Sequence, residues 1–525
     1  MTTKGEKYAE PTVSVQPVDD VEYAAQHIDL DTDSGGKDQL HRGLKQRHIA
    51  MMSIGGIIGT GLFLGSGNAL IHGGPLGLLL GYSIFGVVVI FLMQGLGEMA
   101  AFLPIPGGHL AYAGRLSAVA VLMNYWVSET TVNNGVWIAI AFAFVIVMNM
   151  FPASVYGETE FIFCSIKVLT IMGLIICGIA INCGAGPDGH YIGGEYWRNP
   201  GAFGIDYMGI KGAKGQFLGF WAVLTQAAFS YLGSEIVAVV AAETKNPSKA
   251  VPRAIKNVYL RICVFYILGT FIIGMTCPSN DSHLGTASDA SASPFVIAIS
   301  RAGIKVLPSI VNGCLITSAW SAANADIYVA SRSIYTLAKQ GYLPKVYLTT
   351  SKRGVPYVAS VTAASGGFLA FMCVSSGANT VFNWFVNLVA VGGLMVYVGI
   401  CWSYIRFRKA CEAQGIERST LPFTSGYARF GAWFALCFIP IIIFFSGWTV
   451  FLDLENFDHA TLITNYLPMV LVPIAYLVKK FWSKTKTVGL MEMDLTTGAR
   501  VKMVAEDDED DQPQGRWAKI TSYLL

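Results

Sequence analysis

A glycine-rich apolar stretch, MMSIGGIIGTGLFLGSG at residues 51–67, is the first segment whose backbone could bind a ligand. A glycine inside a helix costs about 0.5–1 kcal/mol relative to alanine, so this stretch predicts a helix that is interrupted. At an interruption, N–H groups that begin the second half-helix attract an anion, and freed carbonyls accept from an ammonium group. That combination suits the two charged ends of an amino acid. Alternatively the glycines allow close helix packing, since Gly55–Gly59 and Gly61–Gly65 have the required spacing.

A second apolar segment is interrupted at FSYLGSE, residues 229–235, where Gly233 and Ser234 precede the charged Glu235. Lipid cannot satisfy freed backbone groups, so a break in a membrane helix is tolerated only where it lines a cavity. Two glycine-interrupted spans at corresponding places in two halves of a chain are typical of a transporter binding site.

Ionisable side chains inside apolar segments are functional candidates, because each costs about 2.5–3.5 kcal/mol at the centre of a bilayer. Lys167, in CSIKVLT, either carries a proton or extends to the membrane interface. Glu98 is expected to be an interfacial carboxylate near the end of its span. Asn324 is a candidate substrate contact, and Asp326 either faces the same cavity or pairs with an arginine.

The composition is that of a polytopic membrane protein, with 53% hydrophobic and 13% charged residues, against about 25% charged in soluble proteins. Runs near 20 apolar residues predict membrane-spanning helices. Eleven spans are predicted, near 48–72, 76–103, 134–152, 160–182, 216–241, 258–277, 306–331, 356–377, 381–405, 429–451 and 463–481. A further apolar stub, LSAVAVLMNYW at 116–126, rises only about 16 Å as a helix, against a hydrocarbon core of about 30 Å.

Lysine and arginine gather before the first span, at 242–261, and after the spans 306–331 and 381–405, whereas the loop 278–300 contains none. The positive-inside rule therefore places these clusters and both termini in the cytoplasm. The N-terminus and the 242–261 loop can share a side only if an even number of spans separates them, yet five full spans lie between. Either the stub at 116–126 crosses with distortion, or this chain has lost most of a helix.

Several long motifs resemble the fungal amino-acid permeases of the amino acid–polyamine–organocation superfamily. They include LKQRHIAMMSIGGIIGTGLFLGSGNAL at 44–70, YGETEFIFCSIKVLTI at 156–171, FSYLGSEIVAVVAAETKNPSKAVPRAI at 229–255 and SAANADIYVASRSIYTLAKQGYLPK at 321–345. The resemblance implies an all-α fold of the leucine-transporter type, with a 5+5 inverted repeat plus two C-terminal helices. Nominally this gives twelve spans, of which the third is truncated here: in similar proteins a longer segment lies between Arg115 and Leu116.

The resemblance also implies proton-coupled amino-acid uptake across the plasma membrane, and it implies a binding site. Thr60 and Gly61, next to Gly59, are expected to bind the substrate carboxylate. The ammonium group is expected at the carbonyls of Ile57, Phe229 and Leu232, beside Gly233, Ser234 and Asn324. A lysine at the position of Lys167 stands where sodium-coupled relatives hold an ion, so Lys167 and Glu235 are predicted to carry the proton.

The expected organisation is a cytoplasmic tail at 1–47, a permease domain at 48–481, and a weakly structured cytoplasmic tail at 482–525. Within the domain, 48–182 and 216–405 form the two repeats and 429–481 the last two helices. Ubiquitin-ligase adaptors are possible partners of the tails, and the ending RWAKITSYLL predicts no palmitoylation. Cys183 and Cys277 lie near outward-facing ends and could form a disulfide.

Other classes of function find little support in the sequence. A net charge of +2 gives no field that would attract nucleic acid, and no metal-ligand spacing or hydrolase motif predicts a metal, a cofactor or an enzyme. Broad or neutral amino-acid specificity is expected. Two alternatives to transport remain: an amino-acid sensor that does not transport, and a transport-defective variant that lacks most of the third helix.

Overall fold

Apolar runs of this length form helices because a helix satisfies all its backbone groups without water. The computed structural model describes residues 46–56, 58–102, 112–127, 131–187, 189–235, 247–284, 293–376, 378–452, 457–482, 484 and 486–495. These residues are mostly helical, with one small hairpin in which β1 (Asp206–Tyr207) runs antiparallel to β2 (Ile210–Lys211). The tail at 1–45 and the acidic run EDDEDD at 506–511 lie outside the described residues.

The α-helices are numbered here in chain order. They are α1 (Gln46–Met51), α2 (Ser66–Phe102), α3 (Tyr112–Met123), α4 (Asn134–Asn149), α5 (Ala153–Asn182), α6 (Gly212–Tyr231), α7 (Pro247–Arg261), α8 (Leu268–Thr276), α9 (Pro294–Arg301), α10 (Leu307–Lys339), α11 (Tyr357–Ser365), α12 (Cys373–Ser376), α13 (Ala378–Ala413), α14 (Ala428–Phe444) and α15 (His459–Trp482). Wider π-helical turns occur at Met52–Gly56, Gly61–Gly65, Trp197–Gly201 and Ile262–Ile267. Tighter 3₁₀ turns occur at Lys345–Leu348, Gly366–Met372, Arg418–Thr420 and Trp448–Phe451.

Six helices in the described ranges are long and apolar enough to cross a membrane. They are Gly61–Ala100, Ala153–Asn182, Ile255–Thr276, Thr380–Ala413, Ala428–Phe451 and His459–Trp482. The first of these joins the predicted spans 48–72 and 76–103 into one run, which changes direction where Gly74 adopts a φ of +67° before Pro75. Only glycine adopts this left-handed conformation readily.

The core lies between helices that are distant in sequence. α2 packs along α6 and α14, and α10 packs against α3, α5 and α11. α15 lies at the edge, and its apolar side chains are mostly exposed. Exposed apolar side chains along such a helix are what a lipid-facing surface requires.

The stub predicted at 116–126 forms the short helix α3, which is buried along most of its length between α10, α13 and α4. Its 12 residues correspond to about 18 Å of helix. The Asn312 side chain on α10 donates to the carbonyl of Leu122 at 3.0 Å, near the C-terminal end of α3. A fragment too short to span a bilayer therefore occupies the interior of the helix bundle.

Two features outside the membrane segments bear on the sequence-based predictions. Cys183 and Cys277, whose pairing the sequence left undecided, are both free thiols. Within the predicted tail 482–525, residues 486–495 are ordered against α13. There the Gln414 side chain donates to the carbonyls of Leu490 and Met493 at 2.9 and 2.8 Å.

Candidate functional site

The first helix is interrupted where the glycine-rich stretch predicts it. Ile58 and Gly59 are non-helical and lie between the π-helical turns Met52–Gly56 and Gly61–Gly65, while Ile57 lies outside the described residues. The N–H of Ile58 donates to the carbonyl of Gly55 at 3.2 Å. The Ile58 carbonyl accepts from the Ser318 hydroxyl on α10 at 3.2 Å.

Gly61 is in close contact with the last turn of α6. A Cβ atom at this position would lie 2.7 Å from Ser230 Cα, 2.8 Å from its Oγ and 3.1 Å from Phe229 Cδ1. Real Cβ atoms do not approach other atoms so closely, so only glycine lets the two backbones meet. Thr60 is buried beside it. This contact joins the first interruption to the second.

The second interruption follows α6 directly. The helix ends at Tyr231, Leu232 is extended with a ψ of 145°, and Gly233 adopts a φ of +95°. The hydroxyl of Tyr266 donates to the carbonyl of Ser230 at 2.8 Å. These conformations end the helix at the level where Gly61 packs, and side-chain hydroxyls satisfy the carbonyls of Ser230 and Tyr231.

Glu235 lies directly after this break and is buried. Its Oε2 accepts from the N–H of Gly233 and from the Tyr397 hydroxyl on α13, both at 3.0 Å. Ser234 links the same region to α7, because its Oγ donates to the carbonyl of Tyr231 at 2.9 Å and accepts from Arg261 Nη2 at 2.9 Å. The Arg261 side chain is fully buried beside this cluster.

Asn324 lies on α10 and is 1% exposed. Its side-chain oxygen accepts from Asn149 Nδ2 of α4 at 2.7 Å. Its own Nδ2 has no hydrogen-bond partner among the described residues. The side chain therefore joins α4 to α10 through one atom and leaves a donor for the predicted substrate contact.

Lys167 lies on α5 with its side chain fully buried, and its ammonium nitrogen is 3.8 Å from Oε1 of Glu160 on the same helix. Glu160 is also fully buried, and its Oε1 accepts from the Ser321 hydroxyl of α10 at 2.7 Å. Burial excludes the interfacial alternative for Lys167 in this conformation. Its ion pair is with Glu160, while Glu235 is bonded within the cluster of Tyr397 and Gly233.

Two further carboxylates are paired. Glu98, predicted to lie near the membrane interface, is fully buried in protein. It accepts from the Tyr404 hydroxyl at 2.7 Å and from Arg418 at 3.0 Å. Asp326 pairs with Arg115 of α3 at 2.7 Å, which agrees with the structural alternative that the sequence left open. No group of three or more His, Cys, Asp or Glu side chains in the described ranges is arranged to hold a metal ion.

Comparison with known families decides the class of this site. The sequence matches the amino acid permease family over residues 48–117 and 115–490. The chain belongs to the amino acid permease family. It is therefore a membrane transporter by family and not an enzyme.

Relatives of this permease differ in the substrates that their names state. It is 40% identical to the dicarboxylic amino acid permease of Saccharomyces cerevisiae, over 88% of this chain and 81% of that protein. It is 38% identical to the lysine-specific permease of the same yeast, over 91% and 82%. It is 36% identical to the proline-specific permease of Emericella nidulans, over 92% and 93%.

A solved structure shows the same fold at low sequence identity. The permease matches the manganese transporter of Eremococcus coleocola with a TM-score of 0.53 and 10% identity, over 84% of this chain and 94% of that one. At this identity the comparison concerns the path of the helices and nothing of the substrate.

Three residues of the permease's buried clusters were not identified from the sequence. Arg261 was assigned to a cytoplasmic basic cluster, and only the packing of α7 shows that it is fully buried. Glu160 was counted at the edge of a span, although its spacing of seven residues from Lys167 puts both on one helix face. Tyr397 carried no signal, because an isolated tyrosine in an apolar run is usually part of the core.

Proposed function

We propose that this permease takes up amino acids across the plasma membrane together with protons, by alternating access. Its termini are cytoplasmic, and its helices form the 5+5 inverted repeat with two additional C-terminal helices. The two helix interruptions hold the substrate backbone. Specificity is broad or neutral, and adaptors of ubiquitin ligases bind the tails.

The contact between Gly61 and Ser230 carries this proposal. It brings the N-terminal end of one half-helix, at Thr60 and Gly61, beside the C-terminal end of another, at Phe229 and Leu232. The first end offers N–H groups to a carboxylate and the second offers carbonyls to an ammonium group. An amino acid carries both charges on one carbon, so it can contact both ends at once.

Proton coupling is assigned to Lys167, which is buried on a candidate membrane span, and to Glu235, which is buried directly after α6. A buried ionisable group in a span marks a proton or substrate path more often than it stabilises the fold. Their different surroundings imply different tasks.

The test is uptake of a panel of radiolabelled amino acids at pH 5 and pH 7.5, in cells that lack their own permeases. Acid-stimulated uptake that a protonophore abolishes supports proton symport. Uptake that is equal at both pH values contradicts coupling. Binding to the purified protein without uptake identifies a sensor.

A second candidate is a transport-defective variant. Two observations favour it: α3 has only 12 residues, and the family match divides into 48–117 and 115–490, at the junction of Arg115 and Leu116. Arg115, which lies at this junction, is buried and pairs with Asp326 at 2.7 Å. The test inserts the corresponding segment of the dicarboxylic relative between Arg115 and Leu116. Uptake by the insertion form alone supports a defective variant, and equal uptake by both forms contradicts it.

A further inference from the structure

Glu160 and Lys167 form a pair that is completely enclosed by protein. Both lie on α5, seven residues apart, which is two helical turns. Their side chains are 0% exposed, and Nζ lies 3.8 Å from Oε1. Removing a single charge from water into a protein interior costs several kcal/mol unless a counter-charge compensates. Each of the two groups therefore depends on the other.

The pair is incompletely bonded. Lys167 Nζ and Glu160 Oε2 have no hydrogen-bond partner among the described residues. The Ser321 hydroxyl donates to Oε1 at 2.7 Å, and the Cys164 thiol lies 3.5 Å from the same oxygen. A structural ion pair is normally saturated with hydrogen bonds, because unsatisfied buried groups are costly. The unsatisfied Lys167 Nζ therefore calls for an explanation other than a purely structural ion pair.

Glu235 is compensated in a different way. Its carboxylate accepts from a backbone N–H and a tyrosine hydroxyl, and the guanidinium of Arg261 belongs to the same cluster. Arginine remains protonated in proteins, so the negative charge of Glu235 has a permanent counter-ion. Lys167 has instead the Glu160 carboxylate as its ion-pair partner.

We propose that Glu160, fixed by Ser321, is the positioning residue that keeps the transported proton on the Lys167 amine, the carrier assigned under the proposed function. Loading transfers a proton from the outer medium to the amine and gives an ammonium beside a carboxylate. Release to the cytoplasm returns the neutral amine, and Glu160 remains a carboxylate throughout. This inference rests on the proposed proton-coupled uptake and refines it, because Glu235 then stabilises the second interruption.

Other titratable groups lie on α5 and on the elements that pack against it, which are α1, the turn Met52–Gly56, α8, α9 and α10. They are Arg47, His48, Tyr156, Glu158, Cys164, Cys177, Arg301, Cys314, Asp326, Tyr328, Arg332, Tyr335 and Lys339. Asp326 is paired with Arg115 at 2.7 Å. Tyr156 stacks on Tyr328, and Arg332 lies over the Tyr328 ring at 3.1 Å. Arg47 and His48 pair with Glu158.

The test measures the pH at half-maximal binding of a radiolabelled amino acid to the purified chain, and of uptake into cells. Because binding of proton and substrate is reciprocal in a symporter, the proton site sets this midpoint. Glu160→Gln keeps the shape and the acceptor for Ser321 but removes the charge that favours the ammonium form. We expect the midpoint to move by about one pH unit or more towards acid.

Three variants separate the role of the charge from damage to the fold. Glu158→Gln is the matched control: its side chain lies two residues away, is 44% exposed and pairs with Arg47, so the midpoint should not move. Glu160→Asp keeps the charge and should restore most of the wild-type profile. Ser321→Ala removes only the donor and should give a smaller shift in the same direction.

Outcomes separate this inference from the proposed function. Wild-type protein that shows no pH dependence of binding or uptake overturns proton coupling itself. A pH-dependent wild type whose midpoint is unchanged in both Glu160→Gln and Ser321→Ala overturns the role of Glu160 alone. If Glu160→Gln fails to reach the surface, the Ser321→Ala midpoint decides.

Discussion

Gly61→Ala tests whether the contact between the two helix interruptions is required for binding. The added methyl would lie 2.7 Å from Ser230 Cα, whereas carbon atoms in contact lie about 3.5–4.0 Å apart. The two backbones must therefore separate by about 1 Å. Backbone is on both sides of the contact, so no side chain can rotate away to make room.

The expected cost follows from this geometry. Inserting a methyl group into a packed interior costs about 1–3 kcal/mol. If the separation is expressed at the binding site, the dissociation constant for an amino acid rises about 5- to 150-fold. Replacing glycine by alanine in a helix also stabilises the folded protein by about 0.5–1 kcal/mol. A control variant must separate this stabilisation from the effect of the clash.

Gly65→Ala is the control for the stabilisation that alanine gives a helix, because Gly65 lies four residues from Gly61 at the other end of the same π-helical segment. A methyl there would be 3.5 Å from Gln226 Oε1, which is an ordinary contact. The assay is binding of radiolabelled amino acid to purified protein, with the melting temperature of each variant. Equal dissociation constants for Gly61→Ala and Gly65→Ala, at equal stability, would refute the assignment of the site to this contact.

Tyr397→Phe removes the hydroxyl that donates to the buried Glu235 carboxylate at the second interruption. A hydrogen bond to a charged group contributes about 1.5–3 kcal/mol, so the melting temperature of the variant should fall. An unchanged melting temperature contradicts the bond. Asp458 accepts from two backbone N–H groups in the first turn of α15. Asp458→Ala removes this cap at a cost of about 1 kcal/mol, so the hydrogen-exchange rate of those two amides should rise about fivefold. Equal exchange rates in the variant and the wild type exclude a cap. Burial raises the pKa of Asp281, but hydrogen bonds from His283 and Arg301 outweigh it and hold this pKa below its usual value. The carboxylate therefore stabilises its turn above about pH 3.9 and loses this effect as the pH falls through the lowered pKa. Protection of the amides of residues 278–284 against hydrogen exchange should fall between pH 5 and pH 2.5. Constant protection contradicts a stabilising role of the Asp281 carboxylate.

The membrane class and the positions of both helix interruptions could be predicted because their causes are local. Hydropathy over about 20 residues decides whether a segment can lie in lipid. Glycine decides where a backbone can leave the helical conformation, as Gly233 does with its positive φ. The short segment at 116–126 is also visible in sequence, since its length alone conflicts with the bilayer.

The partners of the charged side chains could not be predicted in this way. Glu98 is buried because Arg418, 320 positions later in the chain, folds back onto it. Glu160 is fixed by Ser321, which lies 161 positions away. Neither distance has a signature in hydropathy or spacing, because many packings of the same helices are compatible with one pattern of apolar residues.

What the sequence by itself determined is therefore that the protein belongs in a membrane and where two of its helices break, since both follow from the chemistry of neighbouring residues. Only the tertiary structure decided which groups meet at those points: Gly61 with Ser230, and Lys167 with Glu160. The physical reason is that burial makes each unpaired charge or backbone group costly, and its partner is supplied by whichever distant helix the packing brings within a few ångströms.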